Sequence, residues 1–173
     1  MAAPVVHALR SHFGAEAQID FITLNKFNGA AQLISGIDNM YTIEKRAIEI
    51  AQQLRENNYD YLIDLHSNIR SRMLGRLLKI ETLRVKKNNN KRLALVLGLN
   101  KKPVEHFVDR SLKTLEPLNV SFDSKNPWGE INCSKPEQQL PEKYISIAVG
   151  ANYAVKQIPK QTLEDVLSSV DNQ

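Results

Sequence analysis

Apolar and polar positions alternate along this chain between two rhythms, one of strands and one of helices. Pro4 opens a helix with Val5, Val6 and Leu9 on its apolar side and Gly14 as its stop. Ala17 to Leu24 reads as a strand, followed by a short helix at Gly29 to Ser35 and an extended piece at Asn39 to Thr42. The clearest helical spacing is Ile43, Ala47, Ile50, Ala51 and Leu54, which predicts a helix from Ile43 to Asn57 with Thr42 as its N-cap. Tyr61 to Leu65, apolar but for Asp64, reads as a buried strand.

After a polar turn of His66, Ser67 and Asn68, a helix from Ile69 to Lys79 is expected to bury Ile69, Met73, Leu74, Leu77 and Leu78, with a basic outer face. A short strand at Glu81 to Val85 comes next. The basic, asparagine-rich turn Lys86 to Arg92 then precedes an apolar helix at Leu93 to Leu99, and a helix opened by Pro103 runs to about Leu115, with Pro117 ending it. Residues 121–143, rich in proline and holding Trp128, read as a linker. Beyond it a strand at Tyr144 to Val149, a turn through Gly150 to Lys156 and a helix from Lys160 to Val170 look like the opening of a second α/β domain. The expected organisation is a Rossmann-like α/β domain over residues 1–120, a parallel sheet with flanking helices, then the linker and the start of another domain at 144–173. A doubly wound domain ordinarily starts with a strand, and here a helix comes first.

Composition narrows the function. At 173 residues, 42% hydrophobic and 24% charged, the chain suits a globular domain with a real core. Net charge of +4 and a pI near 9.2 favour anionic partners. The single Cys133 excludes an intrachain disulfide framework and any multi-cysteine metal site. No run approaches the ~18 apolar residues of a membrane span, and no charged-then-apolar leader is visible. A glycine-rich phosphate loop and an interleaved aromatic and basic pattern are both missing, so a nucleotide or nucleic-acid binder lacks support.

The candidate chemistry concentrates in YDYLIDLHSNIRSR, Tyr59 to Arg72. In an open parallel sheet, ligands bind beyond the carboxyl ends of the strands, where helices direct free N–H groups. Asp64 is the one acidic group of the otherwise apolar strand and is expected either to orient the turn through backbone N–H groups or to bind sugar hydroxyls. Ser67 or Asn68 can cap the helix. Arg70 and Arg72 offer paired N–H donors to a phosphate or carboxylate, the competing reading for Arg72 and Arg76 being a solvated helix face. His66 and His106 stand where they can bind an acceptor or serve structure. No Ser/His/Asp order or metal spacing unites them.

The order of PVVHALRSHFG, YDYLIDLHSNIRSR, VEHFVDRSL and ISIAVGANYAVKQIP resembles glycosyltransferase family 9, the ADP-heptose:lipopolysaccharide heptosyltransferases. The resemblance implies the N-terminal part of a two-domain GT-B enzyme, inverting and metal-independent, with no cofactor beyond its nucleotide-sugar donor, ADP-heptose. It implies a cytoplasmic protein in peripheral contact with the membrane surface, a lipopolysaccharide core acceptor bound by Asp64, His66, Asn68, Arg70, Arg72 and His106, and no nucleic-acid partner. Lys156 matches the lysine of the family's donor-side loop, although Val155 and Gln157 replace a usual threonine and a usual basic residue. Family members carry a strand and a Gly-Asp turn ahead of the segment matched by PVVHALR, and that aspartate is the expected general base; Met1-Ala2-Ala3 stands there instead. The resemblance thus leads us to expect an incomplete chain, inactive alone. A non-catalytic module that binds an anionic glycolipid or a partner chain is the alternative.

Overall fold

A computed structural model describes residues 2–46, 48–99, 101, 103–122, 132, 141–142, 144, 146–147, 151 and 153–170. They fall into two compact units, Met1–Cys133 and Ser134–Gln173. Trp128 and Cys133 lie outside the described residues. So does the strand expected at Tyr144 to Val149, apart from Tyr144, Ser146 and Ile147, which are not in a strand.

The first unit is α/β with parallel strands. Its elements in order are α1 (Ala3–Phe13), β1 (Asp20–Leu24), a 3₁₀ turn (Asn25–Phe27), α2 (Asn28–Ala31), β2 (Asn39–Ile43), α3 (Ile48–Glu56), β3 (Tyr61–Asp64), α4 (Ile69–Leu78), β4 (Glu81–Arg84), α5 (Asn89–Val96), α6 (Phe107–Leu112) and a 3₁₀ helix (Lys113–Leu118). β1 pairs with β2 from Asp20 opposite Asn39 to Leu24 opposite Ile43. β3 pairs with β4 from Tyr61 opposite Glu81 to Asp64 opposite Arg84.

Alternation along β3 explains why its sequence is apolar on both sides. Leu62 packs into a cluster built on Ile50, Ala51 and Leu54 of α3 and Leu74 and Leu78 of α4, which also takes Ile22, Tyr41 and Ile43 from β1 and β2. Ile63 and Leu65 pack into a second cluster made by Val5 and Ala8 of α1, Val108 and Leu112 of α6, Leu115 and Val120. One pair of helices, α3 and α4, therefore covers residues of both sheets. Polar ties reinforce this arrangement. Tyr59 donates to Asp20, and Asn57 Nδ2 donates to the hydroxyls of Tyr41 and Tyr59 at 2.9 Å each.

Several elements differ from the sequence expectation. The helix expected from Ile43 begins at Ile48, because Thr42 and Ile43 pair with Thr23 and Leu24 as β2. Thr42 is consequently no cap; instead the Glu49 carboxylate accepts from the Arg46 and Glu44 N–H groups at 2.9 and 3.2 Å and closes the turn. Ile69 and Met73 are exposed, because a cap at Asn68 sets the phase of α4 so that Leu74, Gly75 and Leu78 face inward. α5 starts at Asn89 rather than Leu93. The helix expected from Pro103 starts at Phe107, capped by His106.

In the second unit the described elements are a 3₁₀ turn (Ala154–Lys156) and α7 (Lys160–Val170), the latter as expected.

Candidate functional site

Everything at the end of β3 is tied to Asp64, whose side chain is 1% exposed. Its Oδ1 accepts from the backbone N–H of Ser67 at 2.7 Å and of His66 at 3.1 Å. Its Oδ2 accepts from Arg84 Nε at 2.7 Å. Of the two roles that the sequence left open for Asp64, the structure shows the first: it folds the turn. Burial works against its ionisation, but Arg84 and the two N–H groups outweigh that and hold the carboxyl below its ordinary range. Ser67 accepts a left-handed conformation, φ 48°, within this turn.

α4 begins with a reciprocal capping box. Asn68 Oδ1 accepts from Ser71 N at 2.9 Å, and Ser71 Oγ accepts from Asn68 N at 3.0 Å. The N–H groups of His66, Ser67, Asn68 and Ser71 thus all have internal acceptors. The concentration of positive charge lies elsewhere, along the flank of α4.

There a cleft of about 280 Å³ is lined by Arg72, Gly75 and Arg76 of α4, by Ile80, and by Thr82 and Arg84 of β4. Arg72 and Arg76 are one turn apart on the same helix face, and neither has an ion pair or side-chain hydrogen bond among the described residues. Asp64 offsets one of the three guanidinium charges, leaving two. Gly75 makes the close approach of helix to strand possible. A Cβ there would lie 2.9 Å from Thr82 Oγ1 and 3.6 Å from an Arg84 terminal nitrogen. Arginines lining a polar, open cleft suit an oxyanion, which a guanidinium can grip through two N–H donors. At this volume the cleft fits a phosphate or carboxylate and part of its sugar rather than a whole nucleotide sugar.

Among the residues predicted from sequence, only Arg72 lines this cleft, while Asp64 supports it from behind through Arg84. Arg70 and His66 are exposed at the start of α4. Asn68 spends its carbonyl oxygen on the cap. His106 Nδ1 accepts from Val108 N at 3.3 Å as the N-cap of α6. Lys156 is exposed in the second unit, its ammonium 5.7 Å from the Tyr153 ring centroid. Among the described residues no group of three His, Cys, Asp or Glu side chains is placed to hold a metal ion.

Sequence reasoning missed Arg84 and Thr82 as lining residues and placed Arg76 among the helix arginines open to an anion, with a wet face as the competing reading. The parallel register that sets Asp64 and Arg84 side by side is a tertiary fact with no local signal in the sequence.

Residues 47–173 match the family model described as glycosyltransferase family 9 (heptosyltransferase). No curated protein and no solved structure matches the chain.

Proposed function

From the premise that this chain belongs to glycosyltransferase family 9, we propose that its sugar is a heptose, taken from ADP-heptose, and that its acceptor is the phosphate- and carboxylate-bearing inner core of lipopolysaccharide. The observation that carries the acceptor half of this reading is the cleft of Arg72, Arg76 and Arg84. Two guanidinium charges without an internal partner among the described residues suit an anionic acceptor better than a neutral sugar.

In this reading the acid group of the acceptor enters the cleft, and the sugar that follows it lies toward the start of α4. Arg70, His66 and the Asn68 amide Nδ2 are the side chains available there for hydroxyls and further anionic groups. Asp64 is a positioning residue, since both of its oxygens are already engaged. His106, with its Nδ1 occupied as a cap, contributes through Nε2. On the donor side, Lys156 supplies an ammonium for the charge that develops on the leaving nucleoside diphosphate. Transfer proceeds with inversion by direct displacement and without a metal, at the cytoplasmic face of a membrane that the protein contacts peripherally.

The test is a mass-resolved transfer assay of the chain with ADP-heptose and two acceptors, one phosphorylated and one dephosphorylated. Addition of one heptose to the phosphorylated acceptor, with weaker use of the other, supports the reading and overturns the expectation that the chain is inactive alone. Equal use of both would remove the anionic-acceptor argument. Saturable binding that prefers the phosphorylated acceptor, without transfer, is the result expected of a chain inactive alone; it supports the anionic-acceptor site and fits the non-catalytic glycolipid-binding module equally.

A further inference from the structure

Residues 85–104 contain no acidic side chain, and six cations, Lys86, Lys87, Lys91, Arg92, Lys101 and Lys102, bracket the apolar run LALVLGL of Leu93 to Leu99. Such a run reads as core, yet α5 buries none of its side chains. Exposure ranges from 40% at Leu95 to 82% at Val96, with Leu93, Leu97 and Leu99 between. Single exposed apolar residues are ordinary, but five large ones in seven positions mark a contact surface.

The local backbone closes on itself. Leu97 N donates to Leu93 O at 2.9 Å, Gly98 N to Leu95 O at 3.1 Å, and Leu99 N to Ala94 O at 2.8 Å, with Gly98 at φ 70° making the turn possible. Apolar side chains are thus presented with few open backbone groups, which an apolar medium requires. The base of the segment is anchored. Arg110 NH1 donates to Lys87 O at 3.0 Å and to Lys86 O at 3.4 Å, tying the basic stretch to α6.

We propose that α5 and the turn through Leu99 form a docking surface for an anionic lipid bilayer, with Leu93, Val96, Leu97 and Leu99 entering the headgroup–acyl boundary and the flanking cations on lipid phosphates. Charge complementarity selects this occupant: cations without an intervening acidic residue flank the apolar run in sequence, and a continuous negative surface satisfies them without directional partners. At ~1.5 Å per residue, α5 is about 12 Å long, far short of a span, so it lies in the interface. No helix among the described residues is long and apolar enough to cross a membrane. The inference rests on the membrane contact of the proposed reading and locates it on the fold, and vesicle binding tests it apart from any transfer assay.

Co-sedimentation of the full chain with phosphatidylcholine vesicles, with and without phosphatidylglycerol, tests it. Binding should need the anionic lipid and decline with salt. Val96→Glu with Leu97→Glu should weaken it by at least about tenfold, and Lys91→Gln with Arg92→Gln should weaken it several-fold and flatten the salt dependence. All four side chains are exposed, so the thermal transition should hardly move. Equal binding to neutral vesicles, or unchanged binding by the Glu variant, would overturn the proposal. Lipid-independent self-association that the Glu variant abolishes, without vesicle binding, would assign the surface to a second copy instead.

Discussion

Asp64 and Arg84 are register partners in a parallel strand pair and meet side by side, carboxylate to guanidinium, at 2.7 Å. The pair does two things at once. It folds the turn that starts α4, through the N–H groups of His66 and Ser67, and it holds one wall of the cationic cleft.

The pH dependence of stability follows from Asp64. Its carboxyl lies below the ordinary range when folded, so between the folded and unfolded pKa values the unfolded chain holds more protons. Its contribution is fully present above the unfolded value of about 3.9 and is lost as pH falls through the folded value. Asp64→Ala should cost roughly 2–4 kcal/mol near neutrality, less than a fully buried pair because Arg84 is 30% exposed. Urea midpoints measured from pH 7 down to pH 3 should fall less steeply for the variant than for the wild type.

Gly75 sets the distance between α4 and β4. Alanine gains about 1 kcal/mol in helix propensity, but its Cβ would sit 2.9 Å from Thr82 Oγ1 and 3.4 Å from Leu62 Cδ2. Gly75→Ala should therefore destabilise by about 1 kcal/mol net, the overpacking term exceeding the propensity gain. Combined with Thr82→Ala, which removes the obstructing oxygen, it should become neutral or stabilising. A double-mutant cycle by thermal unfolding reads the coupling.

Arg10 joins α1 to the ends of β1 and β2. Its guanidinium donates to Asp38 Oδ2 and Ala17 O at 2.6 Å and to Gly36 O at 2.9 Å, while Asp38 also accepts from Ile19 N at 2.6 Å. Arg10→Ala should cost about 2 kcal/mol in chemical denaturation, after discounting the half-exposed Asp38. Arg10→Lys should restore little of it, because one ammonium cannot reach three separated acceptors.

What the sequence made legible has a physical pattern. β3 and the start of α4 were readable because an apolar run and an Asn-x-x-Ser cap are local signals. The start of α3 was not. Ile43 fits the helical period and Thr42 a cap, but β-branched residues also fit a strand, and pairing with β1 decided the outcome. The phase of α4 was missed because Ile69 and Met73 are apolar yet lie on the outer face, which only the cap geometry reveals. His106 as a helix cap had no local signature. The cleft depends on strand register and on Gly75, both tertiary facts, so Arg84 stayed hidden while Arg72 did not.

Isothermal titration of a phosphorylated inner-core acceptor into wild type, Arg72→Ala, Arg76→Ala and the double variant tests the cationic cleft most directly. Each lost guanidinium should weaken binding by at least about tenfold, and thermal stability should stay near wild type because neither side chain has an internal partner among the described residues. Wild-type affinity in the double variant, with the fold intact, would contradict the account and place the acceptor's anionic group elsewhere.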